Sequence, residues 1–196
     1  MTRHAFVAFV LLMLLSGCTA EEEQLIDQGG VEVPVAKTFP SWFAMTHDSS
    51  EMNGTMFENT SYVAYFSAPW CAHCEATLDA YDQTLPEGKM MVFSYDDRED
   101  YSDMNAWHNQ TESNLNRTVD RPFMLHPLLA QEVELSNIPY VLFVNAQGYV
   151  YHIQVGKITD MDAISNLWDS TLTATTDEDG RWLLSLIHIS EPTRPY

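Results

Sequence analysis

Two cysteines three positions apart, Cys71 and Cys74, follow an apolar, strand-like run, Tyr62-Val63-Ala64-Tyr65-Phe66, across the short link Ser67-Ala68-Pro69-Trp70. On the first turn of a helix, that spacing lets the two sulfurs close a small disulfide. The N-terminal sulfur then lies over the unsatisfied N–H groups of the helix start, which favour a thiolate. A thiolate beside a second thiol is the minimum apparatus for disulfide exchange. Taken alone, Cys71-Ala72-His73-Cys74 could equally grip a metal. His73 has two readings, an imidazole that steadies the Cys71 thiolate or a solvent-facing spacer, and the first is preferred because it sits next to the sulfur by construction.

The surrounding pattern places this pair in an α/β chain. After it, Cys74, Leu78, Tyr81 and Leu85 recur at helical spacing, with Glu75, Asp79 and Asp82 on the other face, until Pro86-Glu87-Gly88. Met90 to Tyr95 predicts a buried strand, followed by the acidic loop Asp96-Asp97-Arg98-Glu99-Asp100. A weaker helix is expected from Ser102 to about His108, and irregular chain from Asn109 to Asp120. Ile138-Pro139 then leads into a hairpin, Tyr140–Val144 and Tyr149–Val155 around Asn145-Ala146-Gln147-Gly148. A last helix starts at Thr159-Asp160-Met161-Asp162 with a capping hydroxyl, and presents Met161, Ile164, Trp168 and Leu172 on one face. Residues Thr46 to Thr60 read as loop. The order of elements predicts a sandwich built on a mixed sheet.

Charge narrows the partners. Nine Lys and Arg stand against 28 Asp and Glu, a net charge of −19 that would repel phosphate backbones, so nucleic acid is excluded. At the N-terminus, Arg3 and His4 precede an apolar run, Ala5 to Leu15, too short to span a bilayer comfortably. It ends in Leu15-Ser16-Gly17-Cys18, which resembles the lipobox of prokaryotic lipoproteins. That resemblance implies a signal over 1–17 and a lipid on Cys18; the polar, acidic stretch 18–37 reads as a tether, and a domain is expected over 38–175, followed by a tail at 176–183. Residues 184–196 look like a translated sequencing adapter and carry no functional weight. The three cysteines then divide into one lipid site and one redox pair. Four Asn-x-Ser/Thr sequons, at Asn53, Asn59, Asn109 and Asn116, are candidate glycan sites in an exported protein.

Trp70-Cys71-Ala72-His73-Cys74 after a strand, with Ile138-Pro139 before a hairpin, resembles the thioredoxin superfamily. Within it, the lipobox, the long segment from Tyr95 to Pro139 and the phrase Arg121-Pro122-Phe123-Met124-Leu125-His126-Pro127 look like the membrane-tethered TlpA/ResA-type proteins. The resemblance implies a three-layer sandwich with a mixed central β-sheet flanked by helices. It also implies an extracytoplasmic thiol–disulfide oxidoreductase without a cofactor, whose partners are cysteine-containing client proteins and a membrane redox partner. Cys71, exposed at the helix start, would be the attacking sulfur and Cys74 would resolve the mixed disulfide. Pro139 would follow a cis bond and hold the Ile138 backbone where a client strand pairs with it. Trp70 is expected to pack beside the disulfide and shield it. One position departs from the family: many thioredoxins carry a buried acid six residues before the first cysteine, and here that residue is Tyr65, read as core packing. The alternative function is a Cu(I)-binding or delivery module using the reduced cysteines with His73. The ten methionines, with His108 and His126, invite it, but most of those methionines fall in apolar patterns and read as core. Cys74-Glu75 lacks the following His that haem attachment requires.

Overall fold

The computed structural model describes residues 35–183. The signal, Cys18, most of the tether and the adapter-like stretch lie outside the described residues. Among the described residues, no helix is long and apolar enough to cross a membrane.

The framework is a sheet of six strands, ordered β1-β8-β7-β4-β5-β6. At its centre β4 (Tyr62–Ser67) lies parallel to β5 (Met90–Ser94) and antiparallel to β7 (Tyr140–Val144). Every residue of these three strands is buried, as expected of strands covered on both faces. The flanks are β6 (Phe123–Leu125) beside β5, and β8 (Tyr149–Val155) with the two-residue β1 (Lys37–Thr38) beside β7.

Three helices cover one face: α1 (Ala72–Thr84), α2 (Tyr101–Leu115) and α4 (Met161–Thr173). There Leu78 and Tyr81, Met104 and Trp107, and Ile164 and Trp168 pack on Val63, Tyr65, Val92 and Phe143 of the sheet. The opposite face is closed by a small hairpin, β2 (Phe43–Met45) and β3 (Glu51–Asn53), a 3-10 turn at Gly54–Phe57, and α3 (Pro127–Glu132). Phe39, Trp42, Phe57 and Leu129 fill that layer against Ala64, Phe66, Phe93 and Leu142. The result is a mixed sheet between two covering layers. Met90, Met91, Met104 and Met124 are fully buried within it.

Several local expectations change. The helix expected to stop near His108 runs on to Leu115, because Trp107, His108 and Thr111 keep one face buried. It is framed by a capping box on Asp100 and a left-handed Asn116 with φ 53°. Residues 46–60 hold β3 and the 3-10 turn rather than only loop. β6 and α3, too short to show a period, form where the phrase from Arg121 to Pro127 stands. In α4 the cap is the Asp160 carboxylate, which accepts from the N–H groups of Asp162 and Ala163, not the Thr159 hydroxyl. Its buried stripe is Ile164, Trp168 and Thr171, while Met161 and Leu172 at its ends are exposed. The segment read as a tail folds back on the sheet edge. Val35 bridges Arg181, Thr176 bridges Trp182, and the Trp182 ring meets Tyr149 and Tyr151 edge-on.

Candidate active site

The cysteine pair stands where β4 gives way to α1, at the carboxyl end of the central strand. Cys71 is the N-cap of α1, at the positive end of the helix dipole, and offers no side-chain hydrogen bond to the first turn. Cys71 and Cys74 are joined as a disulfide, with Cα atoms 5.4 Å apart. The turn is drawn by backbone bonds: the Cys71 N–H donates to the Ala68 carbonyl at 3.0 Å and the Cys74 N–H to the Cys71 carbonyl at 2.9 Å.

Cys71 is not exposed as expected. It is 4% accessible and Cys74 2%, because both sulfurs are engaged with each other and the imidazole of His73 lies over them. His73 Nε2 sits 3.5 Å from Cys71 Sγ and 3.4 Å from the Ile138 carbonyl oxygen, and Nδ1 is 3.7 Å from the same sulfur. The Ile138–Pro139 peptide bond is cis, and the Pro139 carbonyl accepts from the Gly156 N–H at 2.8 Å. Thus Cys71, Cys74, His73 and Ile138 come together from two segments 65 residues apart in sequence.

Trp70 behaves differently from its expected shielding role. It is 54% exposed and turns to the β5–α2 loop, where its indole N–H donates to Asp96 at 2.7 Å and its ring meets Tyr95 edge-on. Asp96 is itself buried and held by the Arg98 guanidinium and backbone N–H. The Arg98 bonds are the main reason its carboxyl is held well below the usual range; burial opposes them. Sequence reasoning missed this anchor. Its signal was available in the acidic loop that directly follows β5, since neighbouring parallel strands bring their carboxyl ends side by side. A cleft of about 710 Å³ runs from Trp70 and His73 past Asp97 to Gln131 of α3 and to Ile138.

Beneath the pair lies Tyr65. It is fully buried, and its hydroxyl donates to the Cys74 carbonyl oxygen at 2.8 Å. Burial, with the nearby Tyr81, pushes its phenol far up, so it stays protonated throughout the working range. It packs in the core as expected and also ties the first turn of α1 to β4.

The other histidines singled out from the sequence are engaged elsewhere. His108 stacks on His47 with ring centroids 3.8 Å apart, and His126 caps α3 by accepting from the Leu129 N–H at 3.1 Å. Of the four sequons, Asn59, Asn109 and Asn116 are exposed and Asn53 is half-buried as the cap of the 3-10 turn.

No family model and no curated protein matches the chain. Solved structures do. The pneumococcal exposed lipoprotein thioredoxin from Streptococcus pneumoniae is 16% identical with a TM-score of 0.53, over 67% of this chain and 99% of its own. A thioredoxin-family thiol:disulfide interchange protein from Chlorobium tepidum is 18% identical with a TM-score of 0.54, over 68% and 97%. A secreted Mycobacterium tuberculosis disulfide oxidoreductase is 16% identical with a TM-score of 0.52, over 66% and 95%. At these identities the likeness establishes the architecture: the chain has a thioredoxin-like fold, with a CxxC pair at the start of its first major helix.

Proposed function

We propose that this protein is an extracytoplasmic thiol–disulfide oxidoreductase that exchanges disulfides with protein cysteines through Cys71 and Cys74. One observation carries the reading: a disulfide-bonded CxxC at a helix N-terminus faces a cis-proline loop whose Ile138 backbone is within reach of the same site. Cys71 is the attacking sulfur, its thiolate favoured by its place at the N-terminus of α1, and Cys74 resolves. Trp70, His73 and the Ile138–Pro139 loop line the surface on which a client chain lies. In either direction a thiolate opens the Cys71–Cys74 bond through a mixed disulfide, and a membrane redox partner would supply or take the electrons.

The extracytoplasmic setting is supported by the apolar N-terminal run and lipobox, and by similar structures described as an exposed lipoprotein and a secreted oxidoreductase. In this reading residues 1–17 are a signal, Cys18 carries lipid, and 18–37 tether the domain. The copper-delivery alternative would use the reduced pair: a ring nitrogen of His73 and the two sulfurs lie within 4.8 Å of one another, whereas Met90, Met91, Met104 and Met124 are buried in the core and contribute nothing to that cluster.

The test uses the full chain with Cys18→Ser, reduced and offered a disulfide-bonded peptide. Cys71→Ser should abolish turnover. Equal turnover with and without Cys71 would overturn the assignment.

A further inference from the structure

The resolving step needs a proton acceptor. Before Cys74 can attack the Cys71–client disulfide it must lose its proton, and at 2% accessibility it has almost no direct water. The group below it is Tyr65, a phenol that burial keeps protonated and whose hydrogen is already committed to the Cys74 carbonyl. Asp96 is tied to Arg98 and Trp70, which makes it a poor base. The Glu75 carboxylate accepts from the Asn114 side-chain amide at 2.6 Å, on the α2 side of the helix.

Among the described residues, the ring of His73 remains close. A ring nitrogen of His73 and the sulfurs of Cys71 and Cys74 all lie within 4.8 Å of one another. Nε2 lies 3.4 Å from the Ile138 carbonyl and 3.5 Å from Cys71 Sγ, and Nδ1 3.7 Å from the same sulfur; in the tautomer with its hydrogen on Nε2, toward a carbonyl that can only accept, the Nδ1 lone pair is left beside the sulfur. We propose that His73 is the proton acceptor for Cys74 in the resolving step, a catalytic role taken from the solvent side of the pair rather than from a group buried beneath it. This rests on the oxidoreductase reading above.

The step balances. The Cys74 thiol gives its proton to His73, and the resulting thiolate attacks Cys71 Sγ. The Cys71–client disulfide bond breaks as the Cys71–Cys74 bond forms, and the client sulfur leaves as a thiolate that takes the proton back from the imidazolium. The protein dithiol is oxidised and the client disulfide reduced. A client N–H that docks on the Ile138 carbonyl displaces the imidazole from it, so docking itself frees the ring for the sulfurs. A role limited to steadying the Cys71 thiolate would act elsewhere, on the first attack, because in the resolving step Cys71 is the atom attacked and not the group that leaves.

The two steps separate in time. The reduced full chain with Cys18→Ser is mixed with 5,5′-dithiobis(2-nitrobenzoate), and the coloured thiolate is followed by stopped flow. The first release, by Cys71, depends on reagent concentration; the second, by Cys74, does not. His73→Gln should slow the second release by about a hundredfold or more, the usual scale for a lost general base. Its pH dependence should move up toward that of an unassisted thiol, and added imidazole should restore part of the rate. Glu75→Gln should leave the second release unchanged. An unaltered second release in His73→Gln, whatever happens to the first, would overturn the proposal, as would a loss in Glu75→Gln of the same size. If the wild type gives no second release, or Cys74→Ser gives the same second release as the wild type, the oxidoreductase reading itself fails.

Discussion

Tyr65 shows how much one side chain can carry. Its ring was legible as core from the apolar run it belongs to, but its hydroxyl was not, because the Cys74 carbonyl it reaches is nine residues on and meets it only after the chain turns from β4 into α1. Tyr65→Phe removes that bond while keeping the ring. We expect a loss of about 1 kcal/mol in unfolding free energy, the ordinary scale of one neutral hydrogen bond, measured by denaturant titration of the oxidised protein. A loss indistinguishable from zero would mean the carbonyl is satisfied without it. Asp96 makes the same point from the other side. Trp70 and Asp96 are 26 residues apart, and the only signal for the contact is that each follows one of two neighbouring strands. It exists only because β4 and β5 lie parallel and deliver their following loops to the same end of the sheet.

Long elements were readable from their periods, and short ones were not. β4, β5, α1, the β7–β8 hairpin and α4 all follow runs in which apolar residues recur at strand or helix spacing. The second half of α2 has a polar surface and shows its apolar face only through Trp107, His108 and Thr111. That face is clamped to the β2–β3 hairpin. His108 stacks on His47, the Asn105 amide donates to the His47 carbonyl at 3.2 Å, and the Tyr101 hydroxyl donates to the Thr46 carbonyl. The stack has a pH consequence. Burial lowers the His47 pKa first, the charge of His108 lowers it further, and Asp48 and Glu112 pull it partly back. A histidine lowered in the folded state contributes its full stability above the unfolded value of about 6.5, and loses it as pH falls below that value toward the folded one. The thermal midpoint should therefore fall between about pH 7 and about pH 5. His47→Gln should flatten that part of the profile; an identical fall in both proteins would remove the stack as its cause.

At the scale of the whole molecule, the excess of acidic residues acts on encounter rather than on fold. With a net charge of −19, a positively charged disulfide peptide should react faster than a negatively charged one of the same length, and the gap should close as salt is raised. A ratio of rates that ignores ionic strength would show that client choice is set wholly within the cleft between Trp70, α3 and Ile138. The folding back of residues 176–183 has a mechanical meaning as well. Chain entering the domain at Val35 meets the Arg181 bridge, the Ala36 N–H bond to the Gly180 carbonyl at 2.8 Å, and then two ladder pairs with β8. An outward pull on that strand therefore opens these bonds one after another, as a zip, instead of shearing them together. The bonds at this edge are the first such a pull meets, and β4 with the cysteine pair stands three strands further in.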